Sequence, residues 1–322
     1  MAPKPLASVS LDADDLWSYL KTHGDPGWAE RPSYLPAFFP LVLELLDRLE
    51  LRITFFLVGY DAARPANRAV LAEVVRRGHE VGNHSFEHEC WLHRYDRDRL
   101  DRELARAEEA IEAATGVRPR GFRGPGFSWS PLLLDVLERR GYRYDASTLP
   151  TFIGPLARWY FLKTARLSAA ERREREALFG AFTEGFRRNK PYRWRLDGGR
   201  SLLEIPVTTV PGLRVPFHLS YLLYLSRVAP RLAELYLHGA ARACRLTNTP
   251  PSFLLHPLDV LGREDVPALA FFPGMDLPGE VKRRFFARAL GLLREYFELG
   301  PLGPQVEALE RDGGLPLKEA RG

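Results

Sequence analysis

Residues 52–58, Arg-Ile-Thr-Phe-Phe-Leu-Val, form an apolar run that predicts a buried strand, and Gly59 closes that strand. Segments on both sides continue an alternation of short apolar strands with amphipathic helices. They lie at residues 7–11 (strand), 39–49 (helix), 62–77 (helix) and 79–82 (strand). Strands that alternate with helices predict a mainly parallel sheet covered by helices.

The same alternation continues toward the C-terminus. Further strands are predicted at residues 121–123, 142–145, 202–207 and 252–256, and further helices at residues 98–115, 131–140, 219–246 (with a break at Pro230) and 279–299. About seven parallel strands favour an α/β fold of the (β/α) barrel type over a small open sheet. Such folds present their chemistry at the carboxyl ends of the strands. Reactive side chains close or follow five of the predicted strands, namely Asp12, His84, Arg123, Asp145 and His256.

The composition of the 322-residue chain is that of a globular protein, with 45% apolar and 27% charged residues. The two cysteines, Cys90 and Cys244, are too few for a disulfide framework and favour a reducing compartment. No apolar run reaches the roughly 18 residues of a membrane span, and the N-terminus lacks the apolar core of a signal peptide. We therefore expect a cytoplasmic protein.

Positive charge is concentrated in residues 151–200, which contain twelve Lys or Arg and five acidic side chains. This segment carries +7, whereas the rest of the chain carries −2 of the net charge of +5. Nine aromatic side chains are interleaved with the cations. The combination predicts a mainly helical flap that contacts an anionic membrane surface or a phosphate-bearing substrate, and a plain lid with a solvated face is the alternative. Nucleic acid is disfavoured, because nothing else in the chain resembles a nucleic-acid-binding fold.

A second pattern has the spacing of metal ligands. His84 and His88 are four residues apart, so on a helical turn the two imidazoles would share one face. Three acids, Asp12, Asp14 and Asp15, follow the first predicted strand, and such a cluster is favoured where a cation compensates its repulsion. Two histidines and one carboxylate leave coordination positions open for water and substrate, as a hydrolytic zinc site requires.

Five segments in this order resemble the motifs of the polysaccharide deacetylases (carbohydrate esterase family four), in the variant with one residue between the first two aspartates. They are residues 10–14 (Ser-Leu-Asp-Ala-Asp), 78–88 (Gly-His-Glu-Val-Gly-Asn-His-Ser-Phe-Glu-His), 123–126 (Arg-Gly-Pro-Gly), 144–147 (Tyr-Asp-Ala-Ser) and 254–257 (Leu-Leu-His-Pro). The resemblance implies a distorted (β/α) barrel and removal of an N-acyl group from an amino sugar, which is free or part of a glycolipid. It also implies one catalytic domain over residues 1–310, with the basic insertion at about 151–200 and a frayed tail at 311–322.

The resemblance implies a divalent metal ion, expected to be zinc, held by Asp14, His84 and His88. Asp12 would be the base that deprotonates the attacking water, and Arg123 would keep that base ionised.

The remaining motifs imply the residues that protonate the leaving group and stabilise the oxyanion. His256 would donate a proton to the leaving amine, and Asp145 would keep its imidazole charged and oriented. The backbone N–H near Gly126 would stabilise the oxyanion. Trp17 and Trp129 are candidates for a wall on which a sugar stacks.

Several alternatives remain open at this level. Asp14 could be the base with Asp15 as the metal ligand, and Asp259 could orient His256 in place of Asp145. A cyclic-amide or ureide hydrolase of the same fold is the alternative enzyme. A non-catalytic protein that binds glycan or lipid is the alternative outside the enzymes.

Overall fold

The computed structural model describes residues 3–165, 167–174 and 181–320. Within these residues, ten strands form one sheet. The strands are β1 (Leu6–Asp12), β2 (Thr54–Leu57), β3 (Glu80–Asn83), β4 (Gly121–Phe122), β5 (Tyr144–Asp145), β6 (Tyr192–Arg195), β7 (Ser201–Glu204), β8 (Ser252–Leu255), β9 (Glu298–Gly300) and β10 (Leu317–Glu319).

Twelve α-helices connect the strands in the described part of the chain. They are α1 (Leu16–His23), α2 (Leu35–Arg48), α3 (Gly59–Ala63), α4 (Arg68–Arg76), α5 (Arg97–Thr115), α6 (Pro131–Arg139), α7 (Gly154–Thr164), α8 (Ala169–Glu174), α9 (Leu219–Ser226), α10 (Pro230–Leu246), α11 (Gly279–Tyr296) and α12 (Leu302–Asp312). None of the described helices has both the length and the apolar character needed to cross a membrane.

The sheet is mainly parallel, as predicted. Its strands follow the order β10-β6-β7-β5-β4-β3-β2-β1-β8, and β9 pairs with β1. Only β6 and β7 pair in antiparallel fashion among the described strands. The predicted ring of about seven strands is not closed in the described chain, because its two end strands, β10 and β8, do not pair with each other. The α/β class is therefore confirmed, whereas the barrel is open.

Prolines explain two helix boundaries. The helix predicted over residues 62–77 is divided into α3 and α4, with Pro65 between them in a short 3₁₀ turn. Proline lacks the N–H that an uninterrupted helix would use there. The predicted break at Pro230 is confirmed, since this residue begins α10 in the first turn, where its missing N–H is tolerated.

The C-terminal part departs from the prediction. The helix predicted to reach residue 299 ends at Tyr296, and Glu298–Gly300 pairs with β1 instead. The tail predicted as frayed contains β10, which pairs with β6 in parallel. All three side chains of β10 are exposed, so the strand is held by backbone pairing that composition does not reveal.

The basic segment is only partly a helical insertion. α7 and α8 lie within it, but its last part contributes β6 to the sheet, paired with both β7 and β10. Seven residues of the predicted segment lie outside the described residues, namely Arg166 and residues 175–180. The flap is therefore limited to the residues before β6.

The largest hydrophobic cluster lies between the central strands and the helices that cover them. Strand residues such as Val9, Phe55 and Phe253 pack there with helix residues such as Leu43 and Leu290. The cluster fixes β8, β1, β2 and β3 side by side. Because these strands are parallel, their carboxyl ends lie at one edge of the sheet.

Candidate active site and metal centre

The carboxyl ends of four strands carry the predicted catalytic side chains. Asp12 is the last residue of β1, and His84, Arg123 and His256 directly follow β3, β4 and β8. The first three side chains are buried, and His256 is partly buried. Parallel pairing therefore gathers at one edge residues that are up to 244 positions apart in the sequence.

Asp14, His84 and His88 form a compact set of metal-ligand atoms, all within 4.8 Å of one another. The Asp14 Oδ1 atom lies 2.9 Å from His88 Nε2 and 3.3 Å from His84 Nε2. Two ligands about 2.1 Å from a tetrahedral zinc ion are about 3.4 Å apart, so this donor set suits such an ion. Burial alone would raise the pKa of Asp14, but the charges and hydrogen bonds of His88 and His84 outweigh burial and hold it below its ordinary value.

A backbone hydrogen bond fixes the tautomer of His84. Its Nδ1 atom lies 2.7 Å from the carbonyl oxygen of Arg123, which can only accept, so Nδ1 carries the proton. The lone pair of Nε2 is then directed toward Asp14. This arrangement prepares His84 to coordinate a cation through Nε2.

The two histidines share a site, but they do not lie on a helical turn, as the spacing predicted. Residues 84–88 form an irregular loop in which Ser85 and His88 have left-handed backbones, with φ of 63° and 51°. The N–H of His88 donates to Ser85 Oγ at 3.1 Å, and the N–H groups of Phe86 and Glu87 donate to Glu103 Oε1. These bonds hold a backbone that a non-glycine residue rarely adopts.

Asp12 and Arg123 form a buried ion pair, with Nη1 2.7 Å from Asp12 Oδ1. The guanidinium also donates to Ser10 Oγ at 2.9 Å and to the carbonyl of Ala146 at 3.0 Å, and it lies 4.3 Å from the ring centroid of Phe56. The cation is thus held from several sides. Its ion pair with Asp12 fixes the position of that carboxylate.

The Asp15 carboxylate binds backbone N–H groups and caps a helix. Its Oδ1 atom accepts from the backbone N–H of Leu16 at 2.7 Å, as the N-cap of α1, and from that of Tyr34 at 3.0 Å. The carboxylate that lies between the two imidazoles belongs to Asp14. The geometry therefore favours Asp14 over Asp15 as the third ligand, and it favours Asp12 as the base.

His256 is oriented by Asp259 through Ser220. The Ser220 hydroxyl donates to Asp259 Oδ1 at 2.8 Å, and its oxygen lies 3.2 Å from His256 Nδ1. Because the single hydroxyl proton goes to Asp259, the oxygen accepts from Nδ1–H of His256. The backbone N–H of His256 also donates to Asp259 Oδ2 at 2.8 Å. The Nε2 atom is left for exchange of a proton with a substrate.

Asp145 is fully buried and its hydrogen-bond partners lie elsewhere, which argues against its predicted role beside His256. It accepts from Ser147 Oγ at 2.5 Å, and that hydroxyl in turn accepts from the backbone N–H of Gly124 at 2.8 Å. Burial raises the pKa of Glu204, and the adjacent carboxylate of Asp145 raises it further. Through Ser147, Asp145 braces the loop that follows Arg123.

Trp17 is not a sugar-stacking surface, because its side chain is 0% exposed. Its indole N–H donates to Asp61 Oδ1 at 2.8 Å, and its ring meets that of His88 edge-on at 6.4 Å. Trp17 therefore supports the metal-ligand loop from inside the protein.

Trp129 is partly exposed and stacks on Trp194, with ring centroids 4.9 Å apart.

Gly126 lies in the turn between Arg123 and Trp129, and its φ of 59° suits glycine. The preceding Gly124 has no room for a side chain, since a Cβ there would lie 1.9 Å from the carbonyl oxygen of Ser128. The turn is tightly built, and the oxyanion role of Gly126 stays a prediction.

Three further residues lie near the site. Ser220 is the link described above. His218 is 5% exposed, lies 6.0 Å from the His256 ring and has no hydrogen-bond partner for either ring nitrogen among the described residues. Burial and the nearby carboxylates of Asp14 and Asp259 raise the pKa of Tyr19 well above its ordinary value. No local sequence pattern marks these residues, because long connections bring them to the site.

Comparisons with known proteins agree with this geometry. Residues 11–144 match the family model described as polysaccharide deacetylase. A peptidoglycan deacetylase from Helicobacter pylori is 26% identical over 153 residues, which are 46% of this chain and 51% of the relative. A chitooligosaccharide deacetylase from Sinorhizobium fredii is 31% identical over 132 residues, which are 38% of this chain and 60% of the relative. The chain spans 30%, 51% and 49% of the length of the first three curated relatives it matches.

Among solved structures, that of a candidate polysaccharide deacetylase from Mycobacterium smegmatis is similar over the whole chain. The TM-score is 0.65 at 20% identity, and the alignment covers 100% of this chain and 96% of the other. Similarity at this level of identity shows a common fold. Residues 11–144 of this chain are therefore similar to the polysaccharide deacetylases, and the chain as a whole shares the fold of one solved structure of that kind.

Proposed function

We propose that this protein is a metal-dependent hydrolase that removes the N-acyl group, in the first instance acetyl, from an amino sugar. The observation that carries the proposal is the donor set of Asp14, His84 and His88, which shares one sheet edge with the Asp12–Arg123 pair. The deacetylase names of the sequence relatives support the same reaction class.

Each chemical requirement of amide hydrolysis has a candidate residue. A bound divalent ion, proposed to be zinc, would polarise the acyl carbonyl and acidify a water molecule. Asp12 accepts the proton of that water, and the guanidinium of Arg123 holds the Asp12 carboxylate in place. His256 donates a proton from Nε2 to the departing amine, while Ser220 and Asp259 hold its Nδ1–H. General acid–base groups of this kind typically contribute about 10² to 10⁴ in rate.

The proposal includes one catalytic domain over residues 1–310. It also includes peripheral contact of the basic segment with an anionic membrane, at the cytoplasmic face. Large apolar side chains in this segment are well exposed, with Trp159 at 59% and Phe186 at 73%. Exposed rings beside cations are typical of surfaces that bind anionic lipid.

The test combines metal analysis with an acetate-release assay on a panel of N-acetylated sugars, lipid-linked glycans and cyclic ureides. We expect one divalent ion per chain and acetate release that chelation abolishes and zinc restores. Release of product from the ureides alone would replace the proposal by the cyclic-amide hydrolase. A metal-loaded protein that binds the sugars without releasing acetate would replace it by a glycan-binding protein.

A further inference from the structure

A cationic cavity is lined by residues from the end of the basic segment and from two later parts of the chain. Its volume is about 530 Å³, and three arginines and one lysine line it. They are Arg187, Arg188, Arg214 and Lys318. The rings of Tyr192 and Trp194 form another part of the lining.

The positive charge of this cavity is only partly compensated from within the protein. The acidic residue in the lining, Glu319, lies 3.3 Å from Arg195, and Arg187 pairs with Glu184 at 2.6 Å. Arg214 differs from Arg187 and Arg195, which have acidic partners. Its Nη1 atom is buried and has no hydrogen-bond partner in the described part of the chain. Burial lowers the pKa of Arg214. A buried guanidinium without an acceptor is stabilised when an anion binds.

Contacts between rings connect this cavity with the catalytic edge. Trp194 stacks on Trp129, and the Arg187 guanidinium lies 4.1 Å from the Trp129 ring centroid and 5.5 Å from that of Trp194. The indole N–H of Trp194 donates to Glu204 Oε2 at 3.0 Å, and burial together with the nearby Asp145 carboxylate raises the pKa of Glu204. Tyr192 pairs in the sheet with the same Glu204, at the carboxyl end of β7. Tyr192, one residue of the cavity lining, therefore lies at the edge of the sheet that carries the candidate catalytic residues.

We propose that this cavity binds the phosphate group of a phosphorylated substrate, while Trp129 contacts the sugar. This inference rests on the proposed function, since it names the class of sugar that the same site takes. Guanidinium groups match phosphate oxygens in pairs of hydrogen bonds. A phosphate ester, with up to two negative charges, fits a group of four cations better than a single carboxylate does. Soluble sugar phosphates and sugars on a lipid phosphate share this chemistry.

Direct binding is measured first, by calorimetry with the full-length, metal-loaded protein and glucose 1-phosphate. This probe has the phosphate group but no amide, so it is not turned over. We expect binding that weakens with added salt, while glucose and glucuronate bind at least about tenfold more weakly. Arg214→Gln and Lys318→Gln should each weaken binding about tenfold, as expected for one charge-assisted hydrogen bond.

The control is Arg173→Gln, which removes the same charge from an exposed position of the basic segment outside the cavity lining. It should bind glucose 1-phosphate within about twofold of the wild type. Circular dichroism checks the fold of each variant, and Lys318→Gln, at an exposed position on β10, keeps the test valid if Arg214→Gln unfolds. Absence of binding by the wild type, equal binding of glucuronate, or equal loss in Arg173→Gln would overturn the proposal.

Kinetics then connect the cavity to the substrate. KM for acetate release from N-acetylglucosamine 1-phosphate should be about tenfold lower than for N-acetylglucosamine, and Arg214→Gln should remove that difference. Equal KM values in the wild type would overturn the assignment to a substrate. A still lower KM for a prenyl-phosphate-linked sugar in micelles would identify the lipid source, and no further decrease would identify the soluble one. If no sugar releases acetate, the proposed function fails, whereas the calorimetry still decides whether the cavity binds phosphate.

Discussion

The catalytic edge and the basic segment both contain many charged groups, but they compensate that charge differently. At the edge, Arg123 lies 2.7 Å from Asp12, and Asp14 lies between two imidazoles. Arg173 of the basic segment is exposed, and in the adjoining cavity the Arg214 Nη1 atom has no acceptor among the described residues. A group that moves a proton needs one position and one protonation state, whereas a group that attracts an anion acts from a flexible side chain.

This difference predicts that substitutions at the edge change the rate and that substitutions in the basic segment change affinity. The largest effect is expected for Asp12→Asn, which keeps the shape of the side chain but removes the base. We expect kcat for acetate release to fall about 10²- to 10⁴-fold, while the metal content and the far-UV circular dichroism stay unchanged. A fully active Asp12→Asn protein would remove the distinction between the two regions.

Ser220→Ala and Asp145→Asn distinguish the residue that orients His256 from the one that braces the loop. Ser220→Ala should lower kcat about 10- to 100-fold, as for other groups that orient a reacting side chain, and should change the alkaline limb of the pH profile. Asp145→Asn should lower thermal stability, because a buried hydrogen-bond network is altered, and should leave the shape of the pH profile unchanged. The reverse pattern would indicate that Asp145, and not Ser220, orients His256.

In the basic segment, the expected effect is on membrane affinity. Arg173→Glu should weaken co-sedimentation with anionic vesicles about fivefold to tenfold, since each basic group near such a surface contributes about 1 kcal/mol. Arg245→Glu, an equally exposed reversal outside the segment, is the matched control and should have little effect. Equal partition of the wild type onto neutral and anionic vesicles would leave the segment as a plain lid.

The smallest effect concerns stability and tests whether His218 is neutral. Burial lowers the pKa of His218 to about 3 and that of His79 to about 4. The unfolded chain then binds protons below about pH 6.5 that the folded chain does not, so the free energy of unfolding decreases as the pH falls toward 3. Each group contributes at most about 1.4 kcal/mol per pH unit. Urea titrations should give a weaker pH dependence for His218→Phe, and an unchanged dependence would mean that His218 is already charged.

Much of the central fold was predictable from the sequence because its strands are short, apolar and separated by helices. β1, β2, β3 and β8 carry that pattern and lie where it predicts. β10 carries no such pattern, since its three residues are exposed and only the edge of β6 holds them. The ring does not close in the described chain, because closure depends on how the two end strands meet and not on any local pattern.

In the candidate site, too, local sequence patterns predicted some features and missed those that depend on contacts between distant residues. His84 and His88 were found from their spacing, yet the loop that unites them is not helical, because Ser85 and Glu103 hold it in another conformation. Trp17 has the composition of a sugar-binding residue, but only the packing around it shows that it is buried. Ser220 reaches His256 across 36 positions, a contact that no local pattern encodes.

We propose that the two neighbouring acids have separate roles, with Asp14 as a metal ligand and Asp12 as the base paired with Arg123. The direct measurement is the divalent metal content of purified Asp12→Asn and Asp14→Asn proteins by elemental analysis, beside the wild type. We expect one ion per chain in the wild type and in Asp12→Asn. We expect a large loss of metal in Asp14→Asn, because that change removes one of three ligands. Loss of metal in Asp12→Asn with full retention in Asp14→Asn would contradict it.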